Sequence, residues 1–178
     1  MLSPRATFPV AARLRAGGVP IGELFAFMSG LYFRGKITYA QRFGRAFVIT
    51  PDQGLVPAET MVTSQVLLRF ADAEIALENP GYRAPLERSA RALAATYAAE
   101  FVLLGSVASD KYVQVLSEIF GMRLVFPSAF VGRGDMSRGG LLLRSAAAAE
   151  ELEYVPVLGA TRRGRRPPKL EPLAKGSQ

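Results

Sequence analysis

The stretch "RAFVITPDQGLVPAET", residues 45–60, decides how the chain is read. Its first half is a continuous apolar run closed by Pro51. That is the pattern of a strand buried on both faces, as parallel sheets have. Its second half, "DQGLVPAET", carries an acid, a glycine and a proline, and reads as a loop leaving the strand's carboxyl end. Two later runs repeat the design: "FVLLGS" (101–106) and "MRLVFP" (122–127) are short, apolar and bounded by turn residues. "LEYVPV" (152–157) supplies a last strand, and "ATFPVAARLR" (6–15) a short first one, its Pro9 favouring an edge.

Helical patterns lie between these runs. From Gly22 to Phe43 the apolar residues Leu24, Met28, Leu31, Tyr32, Tyr39 and Phe43 recur at three- and four-residue spacings. Gly30 and Gly35 leave two helices or one kinked helix open. Residues 61–79 fit a short helix, or a helix followed by an extended piece. "NPGYRAP" (79–85) is turn chemistry, and "LERSARALAATYAAE" (86–100) is a helix. "SDKYVQVLSEIFG" (109–121) is a helix with Ser109 as N-cap, Asp110 in the first turn and Gly121 as C-cap. A last helix is expected over 137–151, with Ser137 as its N-cap. This alternation predicts an α/β fold: a single domain over 1–160 with a mainly parallel, Rossmann-like sheet flanked by helices. Residues 161–178 have no periodicity and are expected to form a flexible basic tail.

Composition restricts the chemistry. A chain of 178 residues without cysteine or histidine has no thiolate nucleophile, no disulfide and no imidazole base or ligand. Acid–base work would fall to Asp, Glu, Lys or Tyr. Neither cofactor nor metal site is expected; a metal, if bound, would be a hard ion held by oxygen. No apolar run approaches the roughly 20 residues that span a bilayer. The first residues lack a signal-peptide core, so a cytoplasmic location without membrane association is expected. The net charge of +7 belongs to the ends: residues 1–15 carry +3, residues 161–178 carry +5, and the body between them carries −1.

In an open parallel sheet, ligands sit outside the carboxyl ends of the strands. The loops after the three inner strands would then converge at one rim. Asp52 and Asp135 become candidate catalytic carboxylates, as base or nucleophile. Ser106, Ser109, Asp110, Gly132, Arg133, Gly134, Ser137 and Arg138 become candidate ligand- or phosphate-binding residues. "FVGRGDMSRGG" (130–140) carries most of this reading. Its glycines would turn backbone N–H groups toward an anion ahead of a helix N-terminus, and Arg133 and Arg138 would clamp a phosphate or carboxylate. The bland alternative is a plain connection whose glycines only turn the chain. Likewise Asp52 could simply cap its own turn, Lys111 is better read as solvated, and the aromatic cluster around Tyr32 and Tyr39 as core. The tail arginines Arg162, Arg163, Arg165 and Arg166 suit the phosphates of RNA or DNA, with affinity that falls as salt rises.

Three stretches, "LYFRGKITYAQRFGRAFVITPDQGLVPAE", "FVLLGSVASDKYVQVLSEIFGMRLVFP" and "GRGDMSRGGLLLRSA", together resemble a group of small bacterial α/β proteins. The shared pattern is an aromatic-Arg-Gly helix, a strand ending in a Gly-Leu loop, a helix opening with Lys-Tyr, and a glycine loop before the last helix. A more distant similarity is to the α/β domain of archaeosine synthase-type tRNA-modification proteins. It covers roughly residues 22–150. Those relatives open with a strand ending in a cysteine-serine motif followed by a lysine; "FPVAARLRAGG" has no cysteine, so activity resting on that motif does not carry over. The resemblance implies a nucleotide-associated α/β fold near nucleic-acid modification. The leading expectation is binding of a nucleotide or nucleic-acid moiety at the carboxyl edge of the sheet. The alternatives are a small hydrolase or transferase acting on a nucleotide glycosidic or phosphate bond with an Asp catalyst, and a protein-interaction module with a basic docking tail.

Overall fold

A computed structural model describes residues 6–108, 110–168 and 170. Its seven α-helices and seven short strands do not form one sheet. The strands make two separate two-stranded antiparallel sheets and one mixed three-stranded sheet. The expectation of a mainly parallel, Rossmann-like sheet is therefore corrected.

The reason begins in the stretch quoted first. Strand β2 (Phe47–Thr50) does not cross over to a parallel partner. It turns at residues 51–53 and pairs antiparallel with β3 (Gly54–Pro57), the segment read as loop. Thr50 makes the turn: its hydroxyl donates to the Gly54 carbonyl at 2.8 Å and accepts from the Gln53 N–H at 3.0 Å. The apolar run is buried on both faces for a different cause. Val48 and Val56 face one core cluster, while Ile49 and Leu55 pack against another, so the hairpin lies between the two.

The smaller cluster joins α1 (Pro9–Ala16), β1 (Val19–Pro20), α2 (Ile21–Met28), β4 (Met61–Val62) and α4 (Ser64–Asp72), through Leu14, Val19, Ile21, Leu24, Val62 and Phe70. The expected N-terminal strand is the helix α1. Pro9 occupies its first turn, where a missing N–H costs nothing, and Arg13 and Arg15 stand in its last turn. β1 and β4 pair antiparallel.

The larger cluster gathers α3 (Gly30–Phe43), α5 (Pro80–Thr96), β5 (Phe101–Val102), α6 (Asp110–Phe120), β6 (Leu124–Pro127), α7 (Asp135–Ala148) and β7 (Tyr154–Pro156). One βαβ unit survives from the expected design: β5 and β6 are parallel, joined through α6. β7 then returns antiparallel on the other side of β6, whose four residues are all buried. Helix α5 starts earlier than its alanine-rich part suggests. Asn79 caps it, its side chain accepting the Gly81 N–H at 2.9 Å, and Pro80 follows, so "NPGYRAP" is a helix start and not a turn. Residues 22–43 form two helices, broken at Ser29. Among the described residues no helix is long and apolar enough to cross a membrane.

Helices α3 and α7 approach until their backbones touch, and glycine permits it. A Cβ on Gly35 would lie 2.7 Å from the Gly139 carbonyl oxygen, and one on Gly139 would lie 2.9 Å from the Tyr32 Cα. Both obstacles are backbone, so neither can swing aside. Gly139 thus serves helix packing rather than a phosphate cradle.

Candidate functional site

Tyr32, Lys36 and Arg138 are set by that crossing. Tyr32 donates from its hydroxyl to the Leu104 carbonyl at 2.9 Å, and Tyr112 donates to the Ser106 carbonyl at 2.9 Å, so two phenols hold the loop after β5. Lys36 lies half-buried with its ammonium 4.1 Å from the Tyr32 ring centroid. Arg138 is buried. Its Nε and Nη2 donate to the Phe130 carbonyl at 3.3 and 3.2 Å, and the guanidinium stands 5.4 Å from the Phe130 ring centroid. It ties α7 to the loop before it and is not turned to a ligand.

Burial sets the ionisation of this region. Desolvation pushes the Tyr32 phenol up to about 12, against the opposing pull of Arg138. It likewise raises Tyr112, and it lowers the Lys36 ammonium below its usual range. Tyr82, 1% exposed, is also pushed up to about 12 by burial, and its hydroxyl has no hydrogen-bond partner among the described residues. A phenol whose folded pKa is raised above 10.0 by burial has no titration effect on stability below pH 10 and lowers stability progressively as pH rises from 10 through 12. Lys36 acts oppositely, its burial penalty easing as pH climbs toward 10.5. Alkaline destabilisation on the order of a few kcal/mol is therefore expected between pH 10 and 12. Tyr82→Phe should raise stability by about 1 kcal/mol at pH 7, by removing an unpartnered buried hydroxyl. It should also make the alkaline decline shallower. Urea midpoints at pH 7, 10 and 11.5 read both effects, and an unchanged midpoint at pH 7 would mean that the hydroxyl is satisfied.

The remaining sequence candidates separate into two places. Asp52 lies in the turn of the β2–β3 hairpin, a sheet separate from the three-stranded one. Its Oδ2 accepts from the Arg69 Nε at 3.1 Å on α4, and its Oδ1 is buried without a partner among the described residues. Asp135 opens α7, exposed, 3.8 Å from the Arg138 Nη1. The parallel sheet whose carboxyl edge was to gather these loops is not formed: Asp52 sits in a hairpin turn of a separate two-stranded sheet, Ser106 follows β5 and Arg133 follows β6. Ser109 lies outside the described residues.

The loop after β6 and the basic segment do converge. Gly132 has φ +72°, and a Cβ there would strike the Arg165 carbonyl, so the glycine provides both the left-handed turn and the room for the segment. Arg133 donates from Nε to the Ala129 carbonyl at 3.0 Å, and from Nη1 to the Ser137 hydroxyl at 3.2 Å and the Pro168 carbonyl at 3.4 Å. Ser137 is consequently inside α7 and not its N-cap, which is Gly134. Arg162 donates to the Val107 carbonyl at 3.3 Å and stands 4.0 Å from Asp110 on α6. Residues 161–168 run without helix or strand along this side. Arg163, Arg165 and Arg166 are exposed and have no partner among the described residues. Arg165, Arg166, Pro167 and Pro168 line a shallow open depression of about 650 Å³.

Sequence reasoning missed Tyr112 and Tyr82 as members of a buried phenol group. Glycines at Gly35 and Gly139, each well inside an otherwise good helix, were the signal available for the crossing. No three acidic side chains among the described residues cluster to hold a metal ion. Comparison with known proteins adds no relative: no family model matches the chain, and no curated protein or solved structure is significantly similar to it.

Proposed function

We propose that this protein binds the phosphate backbone of RNA or DNA in the cytoplasm, through a cationic strip formed by Arg133 and the segment Arg162–Arg166. The observation that carries the reading is the return of the basic segment onto the 130–134 loop. Arginines with exposed or half-buried side chains share one side of a body whose own net charge is near zero. Phosphate contacts of this kind position a protein on nucleic acid without reading its sequence. Arg162 serves the strip by holding the segment against α6, and Arg163, Arg165 and Arg166 supply unpaired charge. The absence of cysteine fits a reducing compartment. An Asp-dependent hydrolase or transferase has less support, because Asp52 and Asp135 each face an arginine of their own.

Fluorescence anisotropy with labelled single-stranded and duplex oligonucleotides, between about 50 and 200 mM salt, tests the reading. The expected result is a Kd in the range of about 10⁻⁴ to 10⁻⁶ M at physiological salt, with log K falling linearly against log salt. A Kd independent of salt, or tighter binding to polyglutamate than to nucleic acid, would sink it and favour an acidic protein partner.

A further inference from the structure

A second cleft, of about 790 Å³, opens on a different part of the molecule, between the C-terminal end of α3, the β2–β3 hairpin and α5. Its lining includes Arg45, Phe47, Leu55, Glu59, Leu93 and Tyr97. The hairpin register pairs Phe47 with Pro57, and the Ala58 N–H donates to the Ala46 carbonyl at 2.9 Å. That register sets Arg45 and Glu59 opposite each other at the open end of the hairpin. Facing opposite charges on an antiparallel pair ordinarily meet. Here they do not: Glu59 has no partner among the described residues, and Arg45 turns instead to α5. Its Nη1 donates to the Tyr97 hydroxyl at 2.7 Å, with the guanidinium 5.6 Å from the Tyr97 ring centroid. Tyr97 is itself fixed. Its carbonyl accepts from the Arg123 Nη1 at 2.7 Å, and the Arg123 Nη2 reaches the Ala94 carbonyl at 3.2 Å.

The guanidinium is thus held by one neutral partner, with its other N–H donors unused among the described residues. An exposed anionic group, Glu59, lines the same cleft at the facing position of the hairpin. Beside them Phe47, paired with Pro57, is half-buried yet belongs to neither core cluster, so its ring is an apolar surface of the cleft rather than of the core. We infer that this cleft binds an α-amino acid with an apolar or aromatic side chain, its carboxylate on Arg45, its ammonium on Glu59 and its side chain against Phe47, Leu55 and Leu93. A guanidinium fork suits a carboxylate in two parallel hydrogen bonds. The volume falls in the range of small-molecule sites, apolar walls with a few placed polar groups. Glu59 disfavours phosphates and plain carboxylates, which would bring a second negative charge beside it.

Three ligands with one ring system separate the contributions: L-phenylalanine, 3-phenylpropionate without the ammonium, and phenethylamine without the carboxylate. Each is titrated into the full-length isotope-labelled protein and followed by NMR. L-Phenylalanine is expected to bind tightest, with shifts confined to residues 41–59 and 89–97. Arg45→Ala should remove its advantage over phenethylamine, and Glu59→Gln its advantage over 3-phenylpropionate. Tyr97→Phe should weaken L-phenylalanine by a smaller factor, because it releases Arg45 without removing it. Arg45 and Glu59 are exposed, so these variants fold, and unchanged spectra away from the cleft verify it. The inference is overturned if L-phenylalanine binds no tighter than either analogue, if its shifts fall outside the cleft, or if no shift appears at millimolar ligand.

Discussion

Gly139→Leu is expected to destabilise the protein by about 3 kcal/mol, the upper end for overpacking a close contact. For a chain of this size that lowers the Tm by roughly 6–12 °C. The obstacle is not a side chain that could rotate away. A Cβ on Gly139 lies 2.9 Å from the Tyr32 Cα and 3.0 Å from the Leu31 carbonyl oxygen, so α3 and α7 must separate. Separation would break the setting of Tyr32 against Leu104 and open the larger core. Neighbouring Gly140 provides the control. A Cβ there meets only the Leu170 Cδ1, at an ordinary 3.7 Å. Gly140→Ala should therefore gain most of the ~1 kcal/mol by which alanine exceeds glycine in a helix. Gly139→Ala, one residue away in the same helix, should lose stability despite the same propensity gain. Thermal melts of the three variants decide the matter, and a stable Gly139→Leu would show that the two helices are not in backbone contact.

Gly139 also shows what the sequence leaves illegible. A glycine inside "SRGGLLLRSA" looks the same whether it cradles an anion or admits a neighbouring helix, because the partner, Gly35, is far away along the chain. Local signals with local causes were readable: α6 with its apolar stripe, β6, and the βαβ link from β5 through α6 to β6, whereas the break between α2 and α3 was one of two readings left open. The hairpin was not. A continuous apolar run reports burial on two faces and says nothing about what buries it, and here two core clusters do so instead of two layers of helices. Once β2 pairs with its own continuation, Asp52 stands in a hairpin turn rather than at the carboxyl end of a strand in a parallel sheet. The same limit applied to Pro9 and Pro80, read as strand-edge and turn residues although both stand where a helix begins. Of the candidate site, charge was legible and geometry was not. The arginines of the tail announced themselves, whereas their return onto Gly132 and Arg133 depended on a left-handed turn and a gap that only the folded chain defines.

Simultaneous replacement of Arg163, Arg165 and Arg166 by alanine should produce the largest change in nucleic-acid affinity. Each arginine–phosphate pairing that the substitution removes flattens the plot of log K against log salt by about 0.9 for duplex DNA, or about 0.7 for a single strand. The triple variant therefore lowers the slope by roughly 2 to 3 units, and near physiological salt the affinity by about two orders of magnitude. The fold should not respond, since these side chains are exposed and have no partner among the described residues. Arg162→Ala should behave differently. Its guanidinium is engaged with the Val107 carbonyl and Asp110, so its removal frees the segment more than it subtracts charge. The slope should then change little while affinity falls modestly, because an unheld segment must be ordered on binding. Arg13→Ala, which removes a charge already paired with Glu23 at 2.6 Å, should leave both quantities unchanged. A triple variant that retains the full slope would place the phosphate-binding surface elsewhere on the molecule. Equal weakening by Arg13→Ala and by any single strip arginine would mean that net charge alone, rather than an arranged strip, attracts the nucleic acid.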